Sequence, residues 1–321
     1  MKDSYNRTID YMRVSITDHC NLRCKYCMPY DPPFIPQGEI LRYEEILRIC
    51  RAAAETGIKH IKVTGGEPLV RQGCVKLIQE LKTLPGIEHV TLSTNGVLLE
   101  QYLDALRALG IDGINISLDT LDPVTYCEVT GSSVLDRVWR SVQKALELGV
   151  RVKLNCVPLR GINDLGCLQV ARLAERYPLD IRFIETMPIG YGNEFALVTG
   201  AELLESLRRV YHDLHEDGSK RGFGPARYYV SGSLKGSIGF IDAVSHCFCE
   251  RCNRIRLTSE GFLKLCLNHD DGVDLKALVR GGADDAVLVH TIGEAIRAKP
   301  DRHRFYAEAP KPQVEMSRIG G

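Results

Sequence analysis

YMRVSITDHCNLRCKYC, residues Tyr11 to Cys27, begins as a strand and ends as a loop carrying three cysteines. Its first half alternates, with Arg13, Ser15 and Thr17 on one side and Val14 and Ile16 on the other, the two-residue period of a pleated strand. Comparable β-rich runs recur at HIKVTGG (60–66), HVTLSTNG (89–96), GINISLD (113–119), RVKLNCV (151–157) and DIRFIET (180–186). Between them lie segments of helical period, among them YEEILRICRAAAETG ending in Gly57, VKLIQELKTL, YLDALRALG, and VLDRVWRSVQKALELG ending in Gly149. A glycine just past the last periodic residue is the usual helix stop. Strands and helices alternating every 30 residues or about that spell βα units on a parallel sheet. Six units are two short of a closed eight-stranded barrel, so the expected fold class is α/β, an open, partial (β/α)6 TIM-like barrel. The polar motifs fall at strand C-terminal ends: the cysteine loop after the first, GGEP after the second, TNG after the third, SLD at the fourth and ETMP at the sixth. That rim is where barrel enzymes hold their chemistry.

After about residue 195 the pattern changes. ARYYVSGS, GSIGFIDAVS, NRIRLT and FLKLCL are short runs joined by turns such as SEG, which predicts antiparallel hairpins. A charged helical stretch covers 283–298 and a Pro-rich tail, APKPQVEMSRIGG, closes the chain. The expected division is therefore a barrel over 1–195 and a smaller α+β domain over 196–321.

At 321 residues, 44% hydrophobic and 26% charged, the sequence has the balance of a globular protein. Its formal net charge is zero, which excludes a global basic field for nucleic acid or an anionic membrane surface, so any anion site must be local. The N-terminus lacks an apolar leader segment, and no run reaches the roughly 18 apolar residues of a membrane helix. The expected location is the cytoplasm. Twelve cysteines in a reducing compartment point to metal ligands or catalytic groups where they cluster. Cys50, Cys74, Cys127, Cys156 and Cys167 stand singly among apolar neighbours and read as small core residues.

Cys20, Cys24 and Cys27 offer three thiolates on a loop just past a strand. Zinc in a closed structural site takes four ligands, and His19 is available as the fourth. A four-iron cluster held by three cysteines keeps one iron open to a small molecule. The spacing favours the cluster and leaves zinc as the alternative. Cys249 and Cys252 form a C-x-x-C knuckle with Cys266 on the following hairpin strand. Cys247, His246 or His269 can complete a zinc site there, and ligand count alone weighs zinc and an iron–sulfur cluster equally.

Strand alternation groups Arg13 with Ser15, Lys62 with Thr64, Lys153 with Asn155, and Arg182 with Ile184. If the more apolar alternates face the helices, all four cations face the barrel interior. Buried charge is expensive unless compensated, so four together imply a polyanionic ligand. Arg254 and Arg256, two apart on a strand after the second cysteine cluster, repeat the pattern, and arginine forks suit phosphate. No G-x4-G-K-[ST] loop occurs.

C-x3-C-x2-C with Tyr26 before its last cysteine resembles the signature of radical S-adenosylmethionine (SAM) enzymes, and GGEP (Gly65–Pro68) is similar to their methionine-binding motif. With FCERCNRIRLTSEGFLKLCL and the terminal GG, the chain is similar over essentially its whole length to the GTP 3′,8-cyclases that begin molybdenum-cofactor synthesis. The resemblance implies cyclisation of GTP to (8S)-3′,8-cyclo-7,8-dihydroguanosine 5′-triphosphate, with a 5′-deoxyadenosyl radical taking ribose H3′ and C3′ attacking guanine C8. It implies SAM and two [4Fe-4S] clusters, one held by Cys20, Cys24 and Cys27, the other by Cys249, Cys252 and Cys266. Tyr26, Gly66, Ser117 and Met187 then belong to the SAM side. Arg13, Lys62, Ser93, Lys153, Arg254, Ile255 and Arg256 belong to the GTP side; Arg182 is added from alternation. Arg254, Arg256, Gly320 and Gly321 are expected to assist turnover. A reductant or electron-donor protein, a downstream cyclic pyranopterin monophosphate synthase and a homodimer are also implied, with no nucleic acid and no membrane. His19 departs from the family, where arginine is more frequent. Cys247 is expected to be a bystander, because a fourth thiolate would close the open iron. The alternative is a radical SAM enzyme that modifies a peptide, with the second cluster transferring electrons. A non-catalytic electron carrier would need neither GGEP nor the interior cations.

Overall fold

The computed structural model describes residues 1–219, 221–305, 316, 318 and 319; the expected roles of Gly320 and Gly321 lie outside the described residues. Six parallel strands form the barrel: β1 (Tyr11–Ser15), β2 (His60–Thr64), β3 (His89–Thr94), β4 (Ile114–Ser117), β5 (Val152–Cys156) and β6 (Asp180–Ile184). Around them lie α1 (Tyr43–Glu55), α2 (Cys74–Lys82), α3 (Leu103–Ala108), α4 (Pro123–Thr130), α5 (Leu135–Glu147), α6 (Cys167–Ala171) and α7 (Leu173–Arg176). All six expected strands form; β1, β2 and β6 end before their motifs, and β3 and β4 end on the first residue of theirs, Thr94 and Ser117. The α4 helix, started by Asp122 through its side chain and by Pro123, was absent from the periodicity.

The predicted faces hold. Met12, Val14, Ile61, Val63, Val90, Leu92, Ile114, Ile116, Leu154 and Ile181 are fully buried against the helices, each contributing about 1.5–3 kcal/mol. The opposite faces, carrying Arg13, Lys62, Ser93, Asn115, Lys153 and Arg182, turn to the barrel interior. α1 illustrates how the outer layer is built: Ile46, Ile49, Cys50 and Ala53 recur at helical spacing and are wholly buried. Its end is Gly57 at φ +100°, where a Cβ would stand 2.7 Å from the Met1 nitrogen.

The C-terminal part comprises α8 (Gly200–Arg208), β7 (His215–Asp217), β8 (Arg227–Val230), β9 (Ser237–Ile241), β10 (Arg254–Leu257), β11 (Phe262–Lys264), β12 (Gly272–Asp274), α9 (Leu275–Arg280) and α10 (Asp285–Arg297). The expected antiparallel pairs exist, β8 with β9 and β10 with β11. Yet β9 also runs parallel to β6, and β10 parallel to β1, so one sheet of twelve strands has the order β12-β11-β10-β1-β2-β3-β4-β5-β6-β9-β8-β7. A partial barrel leaves β1 and β6 as bare edges, and an unpaired edge demands a partner. The C-terminal hairpins supply one on each side. No helix among the described residues is long and apolar enough to cross a membrane.

Candidate active site

The loop after β1 and the loop after β2 interlock. Gly66 N donates to Thr17 O at 2.8 Å and Glu67 N to His19 O at 2.8 Å. A Cβ on Gly66 would lie 2.4 Å from His19 O, so only glycine permits this approach. The cysteine loop is pinned from the other side by Arg23 N to Thr130 O and Lys25 N to Val129 O, both at the end of α4. Arg23 closes the turn by donating to the carbonyls of Cys20 at 2.8 Å and Leu22 at 2.9 Å. The Tyr26 hydroxyl donates to Asp119 at 2.8 Å. Ser117 ends β4 in register with Asn155, and Met187 lies half-buried on the loop after β6. Tyr26, Gly66, Ser117 and Met187 thus all stand on loops or strand ends of the C-terminal rim.

Two buried carboxylates organise that rim, and neither was singled out from the sequence. Glu67 accepts from Leu69 N at 3.0 Å, Thr94 Oγ1 at 2.8 Å and Asn95 N at 2.6 Å, tying GGEP to TNG. Burial raises its pKa to about 7 against these hydrogen bonds. Glu185 accepts from Val244 N at 2.8 Å and Ser245 N at 2.9 Å and is also bonded to the Ser245 hydroxyl, joining β6 to the approach to the second cysteine loop. The signal available was position alone: acids in GGEP and ETMP, at strand ends.

All twelve cysteines are free thiols. A single tetrahedral zinc ion, with Zn–S of about 2.3 Å, holds its sulfurs about 3.8 Å apart. Beside the second triad, Cys247, Cys249 and the His303 ring offer donor atoms within 4.8 Å of one another. Each triad supplies three thiolates, a donor set that suits a four-iron core with one open iron, whereas a closed zinc site needs a fourth ligand. His19 stacks on Phe34 at 4.1 Å between ring centroids. Burial and then Cys27, Asp119 and Cys20 push the Cys24 thiol well up. At the second triad burial raises Cys249 to about 11, while Cys252 is held below its ordinary value because Lys299, Arg254 and Arg7 outweigh its burial.

Strand direction sets the two triads at opposite ends of one ladder. Cys20, Cys24 and Cys27 follow the C-terminal end of β1; Cys249 and Cys252 precede the N-terminal end of the parallel β10, and Cys266 follows β11, antiparallel to β10. Between the ends, Arg256, Arg13 and Lys62 are register neighbours across β10, β1 and β2. Lys62 is buried and makes no hydrogen bond or ion pair among the described residues. Burial, then Arg182, Arg13, Lys153 and Arg254, hold its ammonium well below the usual lysine pKa. Burial likewise lowers Arg13 to about 10, aided by Arg254 and Arg182. Arg182 donates to Asn155 at 2.6 Å but its Nε is buried without a partner, as is that of Arg254. Lys153 differs: it pairs with Asp180 at 3.0 Å, donates to the Tyr228 hydroxyl at 2.8 Å and is bonded to Arg221 O. Ser93 faces the same interior beside Asn115. The Ile255 side chain is wholly buried in the core, so only its backbone is available to a ligand. A cavity of about 790 Å³ lined by Lys62, Lys153, Arg182, Asn115, Thr91 and Phe223 opens beneath these cations, toward the N-terminal ends of the strands.

Residues 14–174 match the family described as Radical SAM superfamily, and residues 179–305 that described as Molybdenum Cofactor Synthesis C. The chain is 45% identical over 323 residues to a GTP 3′,8-cyclase of Clostridium perfringens, with 100% of both chains covered. It is 44% identical over 326 residues to that of Pelotomaculum thermopropionicum, again covering 100% of both. Among solved structures, Streptococcus suis SuiB bound to the precursor peptide SuiA superposes with a TM-score of 0.64 at 13% identity, over 98% of this chain and 76% of that one. SuiB bound to S-adenosylmethionine gives 0.61 at 16% identity, over 89% and 68%. At that identity the likeness concerns the fold, which is the radical SAM partial barrel. With full-length identity of this order, the chain belongs to the GTP 3′,8-cyclase family of the radical SAM superfamily.

Proposed function

We propose that this enzyme cyclises GTP to (8S)-3′,8-cyclo-7,8-dihydroguanosine 5′-triphosphate, the first step of molybdenum-cofactor biosynthesis. The observation that carries the proposal is the row Arg256–Arg13–Lys62, a run of interior cations between two cysteine triads at opposite ends of one strand ladder. A triphosphate is a polyanion of the charge and shape that clustered guanidinium and ammonium groups bind, and Arg254 and Arg182 extend the same field.

Cys20, Cys24 and Cys27 would hold one [4Fe-4S] cluster and Cys249, Cys252 and Cys266 the second, each with one iron free of protein ligands. Cluster and SAM together supply, when bound, the 5′-deoxyadenosyl radical that takes H3′ and lets C3′ attack C8. The chain's own part is placement. Gly66 lets backbone approach the methionine moiety, Tyr26 is fixed by Asp119 beside the cysteines, and Ser117 and Met187 complete the SAM side. Arg13, Lys62, Ser93, Lys153, Arg254, Ile255 and Arg256 form the GTP side, with Ile255 contributing backbone. Lys153 must exchange some of its contacts with Asp180, Tyr228 and Arg221 for phosphate. Arg254 and Arg256, with Gly320 and Gly321, assist turnover. The barrel is assigned to 1–195 and the auxiliary-cluster domain to 196–321, in a cytoplasmic homodimer served by an electron donor and followed by cyclic pyranopterin monophosphate synthase.

Anaerobic reconstitution followed by incubation with GTP, SAM and a strong reductant tests the proposal. About eight irons per chain, with 5′-deoxyadenosine formed only when GTP is present, is the expected result. Four irons plus a zinc, or SAM cleavage indifferent to GTP, would overturn it.

A further inference from the structure

On the floor of the cavity, away from the cysteine-bearing rim, His60 and His89 begin β2 and β3 as register partners, their ring centroids 5.2 Å apart. With Glu88 they each offer a donor atom, and the three lie within 4.8 Å of one another. His60 is only 5% exposed. The Nδ1 atoms of both rings are buried and make no hydrogen bond. Buried polar nitrogens left without partners are costly and rare, so a pair of them side by side calls for a ligand.

The surroundings leave the ring edges unclaimed. Phe223 stacks on His60 at 3.5 Å and 17° and leans on His89 at 4.7 Å. Stacking occupies ring faces, whereas the nitrogen lone pairs lie in the ring plane, where no hydrogen bond claims either Nδ1. Phe223 is itself held by Asn253, which donates to its carbonyl at 3.3 Å and to Asp10 at 2.7 Å. Glu88 pairs with Lys59 at 2.7 Å, but both side chains are about half exposed, at 49% and 52%. An exposed pair of that kind is weak, so the carboxylate is free to turn to a stronger partner. Asp10 and Glu88 also lie near enough to His60 to balance added positive charge.

We propose that His60, His89 and Glu88 form a site for a single borderline divalent transition ion such as zinc, separate from both cysteine triads and independent of the cyclase reading. Two imidazoles and one carboxylate, with solvent completing the shell, select zinc, nickel or cobalt over magnesium and calcium, which prefer oxygen throughout. Occupancy would lock the starts of β2 and β3 together beneath Phe223, closing the cavity floor.

The test uses the cluster-loaded protein, titrated anaerobically with zinc against a chromophoric chelator and examined by zinc K-edge EXAFS. One equivalent is expected to bind with a nitrogen and oxygen shell at about 2.0–2.1 Å and no sulfur at about 2.3 Å. His60→Gln and His89→Gln should each weaken binding at least tenfold, with Cys247→Ser unchanged. Sulfur in the shell, wild-type affinity in His89→Gln, or loss of the ion in Cys247→Ser would overturn the assignment. Should His60→Gln fail to fold, His89→Gln and Glu88→Gln, on less buried residues, decide the matter.

Discussion

The guanidinium of Arg256 donates to the carbonyl oxygen of Ile319 across 3.3 Å, bringing the end of the chain to the row of interior cations. Ile319 is itself buried. Only Gly320 and Gly321 lie beyond this anchor in the sequence. Their deletion should therefore lower turnover about tenfold or more while iron content stays constant, since the loss is one of positioning. Equal rates of product formation in full-length and shortened enzyme would remove the tail from the reaction.

Lys62 supplies a second outcome with two opposite signs. Buried and surrounded by like charges, it disfavours the ligand-free fold, so Lys62→Met should stabilise that state by about 1–3 kcal/mol. The same change removes part of the anion site. At a hundredfold excess over its Kd a ligand stabilises by about 2.7 kcal/mol, and this protection by GTP or inorganic triphosphate should shrink in the variant. Denaturant midpoints with and without triphosphate measure both effects; a variant less stable without ligand contradicts the account.

Cys247 is exposed and close to Cys249 and the His303 ring. We expect Cys247→Ser to keep about eight irons per chain, whereas Cys249→Ser should retain about four. Iron and sulfide analysis separates the two, and loss of iron in Cys247→Ser would make that thiol a ligand.

Arg7 fastens the N-terminal segment to the second cysteine loop. Its Nε bonds buried Asp3 at 2.6 Å, and its other nitrogens donate to Cys249 O at 3.0 Å, Pro300 O at 2.7 Å and Asp301 O at 2.5 Å. Lys299 is bonded nearby to Leu265 O, one residue before Cys266. Arg7→Met leaves the Asp3 carboxylate buried and unpaired, a loss of about 3–5 kcal/mol. Lysine lacks the planar fork and should not restore it. Melting temperature should fall in both variants, with the second cluster under-loaded; unchanged iron and stability would reduce Arg7 to a bystander.

Glu45 gives a pH signature. Arg280, against burial, and then Arg42 hold its carboxylate down to about 2. A depressed carboxylate stabilises the fold above its unfolded pKa of about 4.5, and the contribution fades as pH falls toward 2. Glu45→Gln should cost up to about 3 kcal/mol at neutral pH, less because Arg280 is about a third exposed, at 35%. The gap from wild type should narrow between pH 5 and pH 3 in urea titrations; a constant gap would assign the loss to packing.

Much of this was legible before any coordinates, because strands and helices announce themselves by period and the motifs mark strand ends. The inward cations followed from alternation alone. Long-range pairing did not: nothing in NRIRLT says that its strand lies beside β1, since register depends on which edges the barrel leaves bare. Glu67 and Glu185 were invisible as clasps because their partners are backbone nitrogens of distant loops. Ile255 illustrates the converse, a motif position whose side chain belongs to the core.

The pairing of β1 with β10 also orders events during synthesis. Asp10 and Asn253, joined at 2.7 Å, are 243 residues apart. Until the ribosome has released most of the chain, β1 keeps one edge bare, Arg13 has no Arg256 beside it, and the row of cations is incomplete. Such distant contacts form slowly and leave early intermediates exposed to aggregation. The nascent chain therefore carries its first cysteine loop long before it possesses a site for substrate, and that loop depends in the interval on protection from oxidation and stray metal.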